Sequence, residues 1–229
     1  MIGAQNQALH SWDLSPKQAV ELQRQLAPQV IARDDFGEIR AVAGADMAIS
    51  ADKKSGYAGV IVFEYPSLAE LERVSTVAKL KFPYVPGLLS FREMPVLLRA
   101  FEKLRRRPDL LLVDGQGIAH PRRFGIASHL GLWLGLPAIG CAKSRLCGEY
   151  REPGRSRGSF SSLREGGEEI GAVLRTKDGV RPIFVSIGHR IGLASALRFV
   201  LACGDGRRVP KPTREADRFV AQAKATGSV

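Results

Sequence analysis

Three carboxylates stand where a soluble chain gains little by placing them. Asp46 lies inside the apolar run AVAGADMAIS, Glu93 follows the turn in YVPGLLSFRE, and Asp114 ends the hydrophobic stretch LLLVDG. A carboxylate withdrawn from water without a partner is costly, so it neutralises, pairs or binds a metal. Magnesium takes a few hard oxygen ligands and leaves its other positions to water and substrate phosphate. Phosphodiester hydrolysis needs an activated water, charge neutralisation at phosphorus and help for the departing alkoxide, and metal held by acids supplies all three. The chain is also basic: 34 Lys+Arg against 23 Asp+Glu give a formal net charge of +11, which attracts phosphate backbones and acidic membranes alike. The chemistry outlined is that of a metal-dependent nuclease.

Each acid also has a plain structural reading. Asp46 can end its strand and face water. Ser90-Phe91-Arg92-Glu93 spells a capping box with Glu93 as its third helical residue. Asp114-Gly115 is common turn punctuation. Other enzyme classes fit less well. Gly115-Gln116-Gly117 is followed by His120 where a dinucleotide fingerprint needs glycine, no GxxxxGK[ST] or GxSxG run occurs, and no histidine pair has zinc-helix spacing.

The elements that must position these acids follow from pattern. Ser15, Pro16 and Gln18 mark a helix start, and that helix runs towards residue 27. Strands are expected over residues 40–49, 57–65 and 71–78, as an antiparallel meander with Pro66-Ser67 opening the second turn. A helix begins near Ser90. Residues 109–113 and 138–142 are short apolar runs of the kind buried in parallel sheets, with helix over 122–134 between them. Strands over 170–176 and 183–187 and helices over 192–202 and 213–225 complete the pattern. Residues 151–167, rich in Gly, Ser and Arg, read as a mobile basic loop, either a solvated insertion or an arm tracking a nucleic-acid strand. The last residues, KATGSV, are expected to fray. The fold class is therefore α/β, a mixed central β-sheet flanked by helices, forming a single domain over residues 1–229. In such sheets ligands bind beyond the carboxyl ends of strands, where Asp114 is placed directly.

The longest apolar run, GLWLGLPAIGCA, is short and broken by Gly and Pro, so no membrane span is expected. The first residues lack the charged and apolar regions of a signal peptide. Cys141, Cys147 and Cys203 match neither a disulfide framework nor a zinc pattern. A cytoplasmic protein with reduced thiols, no membrane partner and a monomeric state is the expectation.

Longer segments carry a more specific signal. AGADMAIS, PYVPGLLSFRE, PDLLLVDGQGIAHPRRFGIASHLG, PAIGCAKSRLCG, GHRIGLASAL and KPTREADRF together resemble the endonuclease V family, and they span the chain from about residue 40 to 220. The resemblance implies an RNase H-like fold and a deoxyinosine-directed repair endonuclease that cuts the second phosphodiester bond 3′ to the altered base, leaving a 3′-hydroxyl and a 5′-phosphate. It implies Mg²⁺, with Mn²⁺ as a substitute, and DNA containing deoxyinosine as partner. Asp46, Glu93, Asp114, Lys143 and Asp217 match its catalytic positions. Asp46 and Asp114 are the direct metal ligands it implies, with Glu93 completing the metal site. Lys143 would aim an ammonium at the scissile phosphate; by itself it reads as a solvated lysine. Asp217, on its helix, could equally pair with Arg214 or another nearby base.

Pro83-Tyr84-Val85-Pro86-Gly87 matches the family's DNA wedge: an aromatic ring on a stiff turn can fill the gap left when a base leaves the stack. Alone, Tyr84 reads as a half-buried loop aromatic. Gly87, Leu89, Gly115, Gly117 and Leu146 match the pocket for the flipped base, where glycine permits close backbone approach. His120, Arg122, Arg123, His189 and Arg190 are expected to contact phosphates or support loops; His120 and His189 read equally as structural histidines. Three alternatives remain on the same sequence: an endoribonuclease for inosine in RNA, an RNase H-like nuclease without base specificity, and a non-catalytic nucleic-acid-binding module.

Overall fold

A computed structural model describes residues 9–227. The first residues, read above for an export signal, lie mostly outside that range, as do the last two. The described chain forms α1 (Pro16–Leu26), β1 (Ala41–Ile49), β2 (Ser55–Glu64), β3 (Glu70–Lys79), α2 (Leu89–Phe101), β4 (Leu110–Val113), α3 (Ile126–Leu134), β5 (Ala138–Ala142), β6 (Phe160–Glu165), β7 (Glu168–Leu174), β8 (Ile183–His189), α4 (Leu193–Ala202) and α5 (Lys211–Thr226). The strands make an eight-stranded sheet in the order β3-β2-β1-β4-β5-β8-β7-β6. The meander β1–β2–β3 is antiparallel, and β1, β4 and β5 run parallel. The expected mixed sheet flanked by helices is present.

Period-two alternation divides the core between two faces. Ala43, Ala45 and Met47 of β1 pack with Met94, Leu97 and Leu98 of α2 and with Leu130 of α3. Val42 of β1, Leu112 of β4 and Cys141 of β5 share the other face with Leu197 and Val200 of α4. Gly44 lies on this second face, where α5 crosses: a Cβ there would stand 1.9 Å from the Pro212 carbonyl oxygen. No other residue type at position 44 leaves room for α5 in its place.

Several expectations are corrected. The capping box at Ser90 does not form: the N-cap of α2 is Leu88, without a side-chain cap, and the Ser90 hydroxyl instead shares a 3.1 Å hydrogen bond with Nδ1 of the buried His129. Residues 151–167 are not one mobile loop. Residues 160–165 form β6, paired with β7 through a tight turn in which Gly166 and Gly167 both have positive φ (59° and 83°). Upstream of β6, Arg175 grips the backbone of Pro153 and Gly154 and the carboxylate of Glu152. The strands after β5, whose direction the pattern left open, run antiparallel: β8 pairs with β5, and β7 with β8. Helix α3 starts at Ile126 rather than at residue 122, because Arg123 has φ 55° and breaks the helical path. Residues 224–226 of the tail belong to α5. Ser15 and Gln18 do form the reciprocal capping box expected for α1.

Candidate active site

The parallel strands β1, β4 and β5 end on one edge of the sheet, and each delivers a charged residue there. Ala45 pairs with Val113 in the register of β1 and β4, so Asp46 and Asp114 are the next residues on adjoining strands. Lys143 is the first residue beyond β5. Spacing of two along each chain gives these residues a common face: Asp46 follows Gly44, Asp114 follows Leu112 and Lys143 follows Cys141, all three predecessors lying towards α4 and α5. The helix α5, seated against Gly44, brings Asp217 to the same place.

Ligand oxygens of Asp46, Asp114 and Asp217 lie within 4.8 Å of one another. The Lys143 ammonium sits among them, 2.6 Å from Asp114 and 2.7 Å from Asp217. Arg214, the other partner open to Asp217 in the sequence, is engaged by Asp205 and Glu215 instead. Glu93 reaches the cluster from α2, on the opposite face of the sheet, and is not one of the three closely spaced acids. It still feels them. Burial, then the charges of Asp46 and Asp114, push its carboxyl up to about 8, with Arg92 opposing. Burial, then Asp114, push Asp46 up to about 7, and a bond from the Met47 amide opposes this. Burial works against the charge on Lys143, but its bonds to the two aspartates outweigh that and raise its pKa.

Raised carboxylates mark burial first, and then negative charge that one lysine does not fully compensate. Three convergent carboxylate groups supply hard oxygen donors, the donor set that suits a divalent cation such as Mg²⁺. The cluster could therefore hold a metal ion.

A cleft of about 430 Å³ opens beside the acids. Its lining includes Tyr84, Val85, Pro86 and Gly87 of the proline turn, Leu89, Asp114, Gly115, Lys143 and Leu146. Tyr84 is 70% exposed, so its ring projects rather than packs. The turn beneath it is fixed at one atom. The Gly87 carbonyl oxygen accepts from Gln23 Nε2 at 3.0 Å, His120 Nε2 at 3.0 Å and Arg122 Nη2 at 2.7 Å, with Gly87 in the left-handed region (φ 77°). Gly117 is absent from the lining. It is a packing glycine, its amide donating to Ser186 Oγ and its missing Cβ leaving room for the Ile187 carbonyl.

The expected phosphate contacts separate into supports. His120 is buried, donates through Nε2 to Gly87 and accepts the Arg122 amide at Nδ1, so it is the neutral tautomer; burial and then Arg122 lower its pKa to about 4. Arg122 is held by Gln23 and Gly87, and Arg123 by Glu165 and Glu168. His189 and Arg190 lie at the wrong end of the sheet. Because β8 runs antiparallel to β5, His189 pairs with Ala138, at the end of β5 remote from Lys143. There His189 accepts the Ile31 amide and Arg190 pairs with Asp35. Sequence reasoning passed over Gln23 and Gln116. Gln23 shares the buried stripe of α1 with Ala19 and Leu26, a polar residue on an apolar face. Gln116 Nε2 donates to the Ser144 carbonyl and so ties the loop after β4 to the loop carrying Lys143.

Comparison with known proteins gives concordant matches. Residues 24–218 match the family described as Endonuclease V. A protein named Endonuclease V from Dehalococcoides mccartyi is 50% identical over 214 residues, covering 93% of this chain and 96% of that one. The crystal structure of Endonuclease V from Streptomyces avermitilis superposes with a TM-score of 0.90 at 39% identity, covering 95% of this chain and 96% of that one. Endonuclease V from Ciona intestinalis, solved in complex with a 24mer DNA containing an inosine followed by a ribo-adenosine, has a TM-score of 0.81 at 26% identity, covering 93% of this chain and 100% of that one.

Proposed function

The chain belongs to the endonuclease V family and has its RNase H-like fold, and from that premise we propose that it is a Mg²⁺-dependent repair endonuclease acting on deoxyinosine in DNA. It is a nuclease by family. The finer reading is that it hydrolyses the second phosphodiester bond 3′ to the lesion and leaves a 3′-hydroxyl and a 5′-phosphate. The observation that carries it is the meeting of Asp46, Asp114 and Asp217 beside a cleft bordered by a projecting Tyr84.

Asp46, Asp114 and Asp217 would hold the cation, and Glu93 would complete the site from α2. The ion, when bound, supplies charge neutralisation at the phosphate and activation of water. The protein's own groups do the rest. Lys143 keeps a fixed ammonium at the edge of the acid cluster, where it can donate to a phosphate oxygen as charge develops. Tyr84, on its clamped turn, fills the gap left by the extruded base, whose removal is cheaper when it is mispaired. Gly87, Leu89, Gly115 and Leu146 border the cleft that would receive the hypoxanthine, with backbone close to its edge.

The complex of the Ciona protein with a DNA containing an inosine followed by a ribo-adenosine supports an inosine-bearing nucleic acid as partner. The test is nicking by the purified protein of matched duplexes carrying inosine or adenine, with and without Mg²⁺. Asp46→Asn and Asp114→Asn should each lose cleavage by about 10²–10³-fold or more while still binding the lesion. Full activity in either variant would overturn the metal assignment.

A further inference from the structure

Residues of the 82–87 turn line two separate clefts. Those from Tyr84 to Gly87 line the one that reaches Asp114 and Lys143. Phe82 and Pro83 line a second, of about 850 Å³, between the end of β3 and α2, with Trp12 and Trp133 on its wall and Lys79, Lys81 and Arg99 exposed around it. Asp13 and Glu102 are its acidic members. At the floor, Arg92 is 9% exposed; it donates to the Phe82 and Lys53 carbonyls, and its Nε is a buried donor with no partner among the described residues.

We propose that this second cleft takes the complementary strand of a duplex opened at the 82–87 turn. The proposal rests on the wedge reading of Tyr84. A wedge that parts two strands sends them to different surfaces, and two separate clefts border this turn. One reaches Asp114; the other contains none of the three clustered carboxylates and sets Lys79, Lys81 and Arg99 beside the half-buried indole pair Trp12 and Trp133, whose centroids lie 4.8 Å apart. Cations beside aromatic rings are the surface that holds single-stranded nucleic acid, by backbone attraction and base stacking. The unspent Arg92 N–H adds a further positive group beneath it. A second copy of this chain is a poor occupant, because each copy carries a formal net charge of +11.

The test combines three exposed substitutions, Lys79→Ala, Lys81→Ala and Arg99→Ala, in one protein. Binding is measured against salt for an inosine duplex and for the same inosine strand alone. For the duplex, the slope of log affinity against log salt should fall by about 2, at about 0.7 per single-strand phosphate contact. For the lone strand the slope should not change, because that strand lies in the other cleft. Equal losses on both substrates, or no loss on either, would overturn the proposal. Tyr84→Ala separates this from the wedge reading. It should lose affinity for the inosine duplex beyond its loss on a plain duplex. If it does so while the triple variant shows no duplex-specific loss, the wedge stands and the strand site falls. Photocrosslinking from a 5-iodouracil opposite the lesion should capture peptides containing Trp12 or Trp133. Capture only within residues 142–146 would also overturn the strand site.

Discussion

The ammonium of Lys143 lies 2.6 Å from a carboxylate oxygen of Asp114, although 28 residues separate them in a chain that passes through α3 between. Parallel pairing of β4 and β5 is what brings them together, because both strands then end on the same edge. Asp46 and Glu93 are left without a close cation of their own, and burial, then the neighbouring carboxylates, raise their carboxyl groups.

Replacement of Lys143 by Met removes the cation nearest the acids. Cleavage should fall by about 10²-fold or more through loss of a donor to developing phosphate charge. Divalent-ion affinity, measured by calorimetry, should not weaken, since a competing positive charge is gone. Weaker metal binding in the variant would show that Lys143 builds the metal site rather than serving the phosphate.

Stability without metal should depend on pH through the same acids. Asp46 at about 7 and Glu93 at about 8 hold protons in the folded chain that the unfolded chain has already released. The folded state binds more protons across that interval, so stability falls as pH rises from the ordinary carboxylate range towards 8. Thermal unfolding with chelator should show this decline, Asp46→Asn should flatten it, and saturating Mg²⁺ should reverse it by binding only the folded state. A metal-free melting temperature that rises over the same interval in the parent, and equally in Asp46→Asn, would contradict the electrostatics.

Gly44→Ala tests how α5 is seated. The new methyl would meet the Pro212 carbonyl at 1.9 Å, a backbone atom that cannot rotate aside. Overpacking of this kind costs about 1–3 kcal/mol, readable in urea denaturation. Because α5 carries Asp217, the stabilisation gained on adding Mg²⁺ should shrink as well. An unchanged midpoint together with an unchanged metal response would show that α5 is not positioned by this contact.

Local pattern made much of this legible. The alternation of β1 and the apolar runs of β4 and β5 fixed where Asp46, Asp114 and Lys143 emerge, since a strand's end needs only its own residues to locate. What depended on pairing between distant segments was not legible. The place of His189 turns on whether β8 runs with or against β5, and nothing in either strand states that. Asp217 reaches Asp114 only because Gly44 admits α5, a long-range packing event. The capping motif at Ser90 gave way to tertiary structure, because its hydroxyl bonds to His129 and the N-cap lies two residues earlier, at Leu88. The Gly166-Gly167 turn was a readable hairpin signal, hidden by the polar composition around β6.

The central claim is that the acids cut where the neighbouring turns select an inosine. Cleavage-site mapping on a duplex with one deoxyinosine, beside a matched strand carrying inosine in RNA, tests it most directly. The account predicts a single Mg²⁺-dependent cut at the second phosphodiester 3′ to the deoxyinosine, with 3′-hydroxyl and 5′-phosphate ends, and faster cleavage of the DNA. Cuts distributed without regard to inosine, cleavage undiminished by chelator, or cleavage confined to the RNA strand would contradict it.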